Sequence, residues 1–152
     1  MSEIKYYEDI NIGDVSISSA RTITEADVIS FAGLAGDFNA IHTDEEFAKK
    51  TIHGGRIAHG LLTIAIASGL FTRTEYNTQM SPALLGLALM QDWKFPRAVK
   101  IGDTIHVRVE ITEKVDTKPD RGRVTLHRVI LNQRDEVVVE GDTIAVIRKR
   151  PK

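Results

Sequence analysis

Asp37 and His42 are the residues of this chain best suited to chemistry, five apart in Gly36-Asp37-Phe38-Asn39-Ala40-Ile41-His42. A carboxylate and an imidazole around one water make a general acid–base pair. The carboxylate can accept a proton, and the imidazole can take or return one near neutral pH. On an ideal helix five residues turn about 500°, which leaves the two side chains about 140° apart. They would not converge there. A loop after Gly36, turned at Asn39, can bring them together, and the sequence places them in such a loop. The spacing alone is equally met by an Asp37 that caps the loop and a His42 that bonds a backbone carbonyl.

A second candidate is Gly54-Gly55-Arg56-Ile57-Ala58-His59-Gly60, which opens an apolar helix. A helix N-terminus carries unpaired N–H groups and about half a positive charge. Gly60 has no side chain to block approach, so its N–H could polarise a carbonyl and steady an oxyanion beside it. Glycines that merely permit a tight turn explain the segment better when it is taken alone. Ser68 follows Gly60 by eight residues, about 80° round a helix, and can share its flank. On spacing alone a buried serine simply bonds the carbonyl four residues back. His59 reads as a core histidine with its nitrogens satisfied. No His-x-x-x-His pair occurs, so no metal is expected. Nor does a phosphate-binding glycine loop occur.

The elements around these residues follow from periodicity. Residues 10–23 read as an opening strand. Thr24-Glu25-Ala26-Asp27 resembles a capping box and predicts a helix that stops at Gly36. Thr43-Asp44-Glu45-Glu46 predicts a second capped helix, through Ala48 to Lys50. The segment from Ala58 to Phe71 is apolar on nearly every face, the pattern of a helix buried on all sides. After Pro82 the period becomes two. Leu85, Leu87 and Leu89 are expected on one strand face, with Trp93 and Phe95 as core residues further along. Ile105, Val107, Val109 and Ile111 alternate with polar residues. Val115 to Arg123 reads as a turn, followed by strands over 124–131 and 137–147. The predicted class is α+β: an antiparallel sheet wrapped around the long helix. One sheet cannot cover every side of that helix, so a partner subunit is expected.

The chain has 152 residues, a formal net charge of −1 and no cysteine. That length fits one domain spanning 1–152. Thiol nucleophiles, disulfides and thiolate metal centres are excluded. The balanced charge gives no field to attract nucleic acid or an anionic membrane. The longest apolar stretch is about half of the roughly 20 residues a membrane span needs. The N-terminus lacks a signal-peptide apolar region. The expectation is a soluble cytoplasmic protein.

The Gly36-to-His42 stretch, followed after five residues by Ala48, resembles the signature of the MaoC-like (R)-specific enoyl-CoA hydratases. Gly55-Arg56-Ile57-Ala58-His59-Gly60 is similar to the entry of that family's central helix. Trp93-Lys94-Phe95-Pro96 and Ile101-Gly102-Asp103 extend the resemblance over most of the chain. It implies a hot dog fold, a homodimer or higher homo-oligomer, and an acyl-CoA thioester substrate. It further implies reversible hydration of a 2-enoyl thioester to the (R)-3-hydroxyacyl form, with no cofactor beyond the coenzyme A of the substrate. Asp37 and His42 would hold and activate the water, and the Gly60 N–H would meet the thioester oxygen. Asn39 would shape the loop, with Ser68 and His59 beside the substrate. Arg56, Lys94, Arg97 and Lys100 are candidates for the carrier's phosphates, though each alone reads as ordinary surface. The family usually has proline where this chain has Ala40. A hot dog thioesterase and a non-catalytic acyl-thioester binding module are the alternatives.

Overall fold

The computed structural model describes residues 3–152. Six strands form one antiparallel sheet: β1 (Val15–Ile17), β2 (Arg21–Thr22), β3 (Leu84–Lys94), β4 (Thr104–Lys118), β5 (Arg121–Leu131) and β6 (Val137–Arg148). The order is β1-β4-β5-β6-β3, with β2 also on β4. The central helix α4 (Gly60–Thr72) lies against this sheet. Alternation decides which strand residues meet it. Ile105, Val107, Val109 and Ile111 of β4 are fully buried, as are Val124, Leu126 and Ile130 of β5 and Ile147 of β6. With Leu62, Ala67, Leu70 and Phe71 of α4 they form one apolar cluster.

The predicted opening strand over 10–23 is instead two short pieces. The Ser18 hydroxyl accepts from the Val107 N–H at 3.0 Å, a bond that a continuing backbone ladder would have made. Pairing therefore lapses between Ile17 and Arg21. The predicted turn over 115–123 is mostly strand: Val115 pairs with Arg123 and Lys118 with Arg121. Only Pro119 and Asp120 are left between the strands, which keeps proline out of the ladder. Register shifts in β3 break the regular face expected for Leu85, Leu87 and Leu89. All three are exposed on this edge strand. The helix α4 is not covered on all sides by this chain either, since Leu61, Ala65 and Gly69 form an open flank.

Helix α1 (Glu25–Ala35) begins and ends where its sequence predicts. The Thr24 hydroxyl accepts from the Asp27 N–H, and the Asp27 carboxylate takes the Thr24 N–H at 2.8 Å. Gly36 closes the helix at φ 75°, the left-handed region that glycine adopts without strain.

Burial pushes the Asp27 carboxyl up. The Thr24 backbone and hydroxyl bonds and the Arg21 guanidinium pull it down and prevail, so its pKa is lowered. A carboxyl lowered on folding adds stability above its unfolded pKa, and that stability is lost as pH falls through the folded value. Asp27→Asn is therefore expected to be less stable than wild type at neutral pH. Its urea-unfolding free energy should also fall less steeply toward a pH of about 3. Equal slopes for the two proteins would contradict this.

Candidate active site

Between α1 and the central helix the chain makes two one-turn helices, α2 (Ala40–Thr43) and α3 (Glu45–Ala48). The expected loop thus ends at Asn39, and His42 stands on α2. The Asn39 side chain accepts from the Ile41 N–H and starts this turn. The Asn39 N–H in turn reaches the Asp37 carboxylate at 3.2 Å. Helix α3 is capped by Asp44, one residue later than predicted. The Thr43 hydroxyl points back to the carbonyls of Phe38 and Asn39. Both hydroxyl bonds brace the segment that carries Asp37 and His42.

Ala40 occupies the first position of α2, where a helix has no use for the residue's N–H and proline is favoured. Ala40→Pro is expected to raise stability by about 0.4–1 kcal/mol through the unfolded chain. Thermal unfolding measures this, and a lowered Tm would show that the turn rejects the ring.

His42 is buried, and its Nδ1 lies 2.7 Å from the Ile57 carbonyl. A carbonyl can only accept, so Nδ1 carries the proton and Nε2 of the neutral ring keeps its lone pair. His59 is 3% exposed, as expected of a core residue, but only half of its polar demand is met. Its Nε2 donates to the Asp37 carbonyl at 3.0 Å, whereas Nδ1 has no partner. The two imidazoles stack at 3.8 Å with planes 28° apart, and Phe31 packs on the His59 ring at 5.0 Å. One ligand atom each from Asp37, His42 and His59 lie within 4.8 Å of one another. Such a set offers donors to a divalent cation. The two stacked rings hold their in-plane lone pairs in separate planes 28° apart.

Gly60 opens α4 after His59, whose side chain supplies no cap. The first N–H groups of the helix are thus left without a side-chain acceptor there. Phe95 closes on this glycine: a Cβ at Gly60 would come 2.6 Å from the ring. Half exposed, Phe95 is a cover over the helix entry and not the core residue expected. Trp93, partly buried, donates its indole N–H to the Asp142 carbonyl at 3.1 Å. A cavity of about 330 Å³ is lined by His42, Gly60, Thr63, Phe95 and Arg97, among others.

The remaining candidates separate. Ser68 does not line this cavity and borders another, between α4 and the sheet. Arg56 forks onto Glu25 at 2.6 and 2.8 Å and also bonds Glu45, so it ties α1 to α3. Of the four basic candidates only Arg97 lines the His42 cavity; Lys94 and Lys100 are exposed. Nothing local in the sequence marks Phe31 or Phe95 as an aromatic that packs on the site. No helix among the described residues is long and apolar enough to cross a membrane.

Comparison with known proteins agrees with this architecture. The (R)-specific enoyl-CoA hydratase of Rhodospirillum rubrum is 35% identical over 147 residues, 97% of this chain and 94% of that protein. A crystal structure of a protein described as the monoamine oxidase regulatory protein of Archaeoglobus fulgidus superposes with a TM-score of 0.93. It is 39% identical and covers 99% of this chain and 98% of its own. A Mycobacterium tuberculosis protein described as having a double hot dog fold matches at a TM-score of 0.83. At 20% identity, over 98% of this chain and 46% of that one, it bears on the fold alone. The sheet wrapped on α4 is a hot dog fold. A family model described as the MaoC like domain matches residues 12–132, and the chain belongs to that family.

Proposed function

We propose that this protein is an (R)-specific enoyl-CoA hydratase, equally a 3-hydroxyacyl-CoA dehydratase, using Asp37 and His42 as its acid–base pair. Relatives named as hydratases support a hydro-lyase. The observation that carries the finer reading is the approach of the Asp37 carboxylate to the His42 ring, beside the uncapped N-terminus at Gly60.

The thioester oxygen of a 2-enoyl substrate accepts from the Gly60 N–H. Electron density drawn to that oxygen leaves the β-carbon electrophilic. Asp37 and His42 hold one water and take its proton while its oxygen bonds the β-carbon. The π electrons of the double bond pass toward the thioester, giving an enolate. The α-carbon then takes a proton from the acid–base pair, and the thioester bond stays intact. Dehydration is the reverse. The R configuration of the product is carried over from the relatives' names. Asn39 sets the loop, and His59 holds the Asp37 carbonyl and the His42 ring plane. The reaction calls for no cofactor other than the coenzyme A of the substrate itself. A homodimer suits the exposed apolar residues Leu61, Leu84, Leu87 and Met90, which a second copy would cover.

Crotonyl-CoA tests the reading. Loss of enone absorbance without release of free thiol is the expected result. Thiol release would instead mean hydrolysis at the carbonyl. No change with any enoyl chain length would leave a binding module.

A further inference from the structure

Arg128 is the anomaly of the core. It alternates with Val124, Leu126 and Ile130 on the face of β5 that turns toward α4. Its guanidinium lies 5.2 Å from the Phe71 ring, and its Nε is buried without a hydrogen-bond partner. Burial pushes its pKa down to about 10. A guanidinium held this way ordinarily has a carboxylate beside it.

None is there among the described residues of this chain. Arg128 lines a cavity of about 420 Å³ between α4 and strands β3, β5 and β6, and none of the described Asp or Glu residues lines it. That volume falls in the range of small-molecule sites. Its walls are otherwise mostly apolar, with Leu61, Ile64, Phe71 and Leu87 among them, so a second copy over Leu61 and Leu87 would close its open side. A second polar group faces the same space: Thr143 is 6% exposed, and its hydroxyl is also buried without a partner. Thr143 pairs with Leu126, and Arg128 with Gly141, so the two sit diagonally on neighbouring strands, offset by two residues on the same face. Ser68 borders the cavity too, about 12 Å along α4 from Gly60 at about 1.5 Å per residue.

We infer that this cavity receives a carboxylate carried on an apolar chain, paired by the Arg128 fork and the Thr143 hydroxyl. Apolar walls take the chain, and a planar guanidinium matches a carboxylate with two parallel bonds. The carboxylate has two sources. It is the far end of a dicarboxylic 2-enoyl thioester whose thioester lies at Gly60, a case that rests on the function proposed above. Alternatively it is the head of a free fatty acid, which needs no catalysis.

Two measurements on the protein and on Arg128→Met separate them. The first compares kcat/KM for 2-enoyl-CoA substrates of equal length that end in a carboxylate or in a methyl group. The second is calorimetric titration with octanoate, and with octanol as the neutral control. Wild type is expected to favour a carboxylate by roughly 10- to 100-fold in at least one measurement, and Arg128→Met to lose that preference. Preference among thioesters alone assigns the substrate's far end, and octanoate binding alone assigns a free acid. If no enoyl thioester turns over, octanoate binding that Arg128→Met abolishes still supports the site, and the failure belongs to the proposed hydration. Arg128→Lys keeps the charge without the fork and should retain part of the effect, which guards against misreading a misfolded variant. Indifference to the carboxylate in both measurements overturns the inference. So does an Arg128→Met protein that keeps the wild-type preference for the carboxylate.

Discussion

Asp37→Asn is expected to lower kcat for hydration of crotonyl-CoA by roughly 10²–10⁴-fold, the usual contribution of a positioned acid–base group. The change removes the proton acceptor and little else. Asp37 is exposed, and its carboxylate accepts one backbone bond, from the Asn39 N–H. An asparagine carbonyl can take the same bond, so Tm should stay near the wild-type value. The split between lost turnover and kept stability is what a merely structural aspartate would not give. His42→Ala should lose turnover as well, but with a lower Tm, because it leaves the Ile57 carbonyl without its partner in a buried place. Effects within such a pair are not additive, so the double variant should fall little below the worse single one. Full activity in a folded Asp37→Asn/His42→Ala protein would end the proposal.

Phe71→Ala is expected to cost about 3–5 kcal/mol, the range for emptying an aromatic site in a packed core. Phe71 is 2% exposed and anchors the end of α4 against the sheet. At roughly 2–4 °C per kcal/mol for a chain of this size, Tm should fall by about 6–20 °C. The substitution also strips the ring from beneath the Arg128 guanidinium and enlarges the cavity it borders. Binding at that cavity should weaken along with stability. Calorimetry of the purified variant measures the first, and a Tm within about 2 °C of wild type would show that α4 is not seated as described.

Several features were legible in the sequence because their causes are local. Thr24, Asp27 and Gly36 bound α1 through bonds made within one turn. The clean alternation of Ile105 to Ile111 tells which face of β4 is buried, since a strand's side chains must alternate. The same alternation would have put Arg128 inward had its parity with Val124 and Leu126 been followed. Others were misread for equally physical reasons. Thr43 and Asp44 are both capping types, and only the placement of the preceding loop decides that Asp44 caps while Thr43 braces. Pro119 and Gly122 look like turn residues together, yet Gly122 is paired strand opposite Asp116, and the Tyr7 ring fills the place a side chain there would need.

The sequence by itself determined the chemistry on offer and the scaffold class. It supplied an Asp–Asn–His loop, a glycine at a helix entry, an apolar helix and strands with one apolar face. Local bonding and periodicity are properties of neighbouring residues, so they survive without a fold. Only the tertiary structure decided which groups meet. It stacks His59 from beyond a 16-residue interval onto His42. It lays Phe95 over Gly60 and leaves Arg128 and Thr143 unpaired in one cavity. These contacts join segments that no local rule brings together, and they are set by how the sheet closes on the helix.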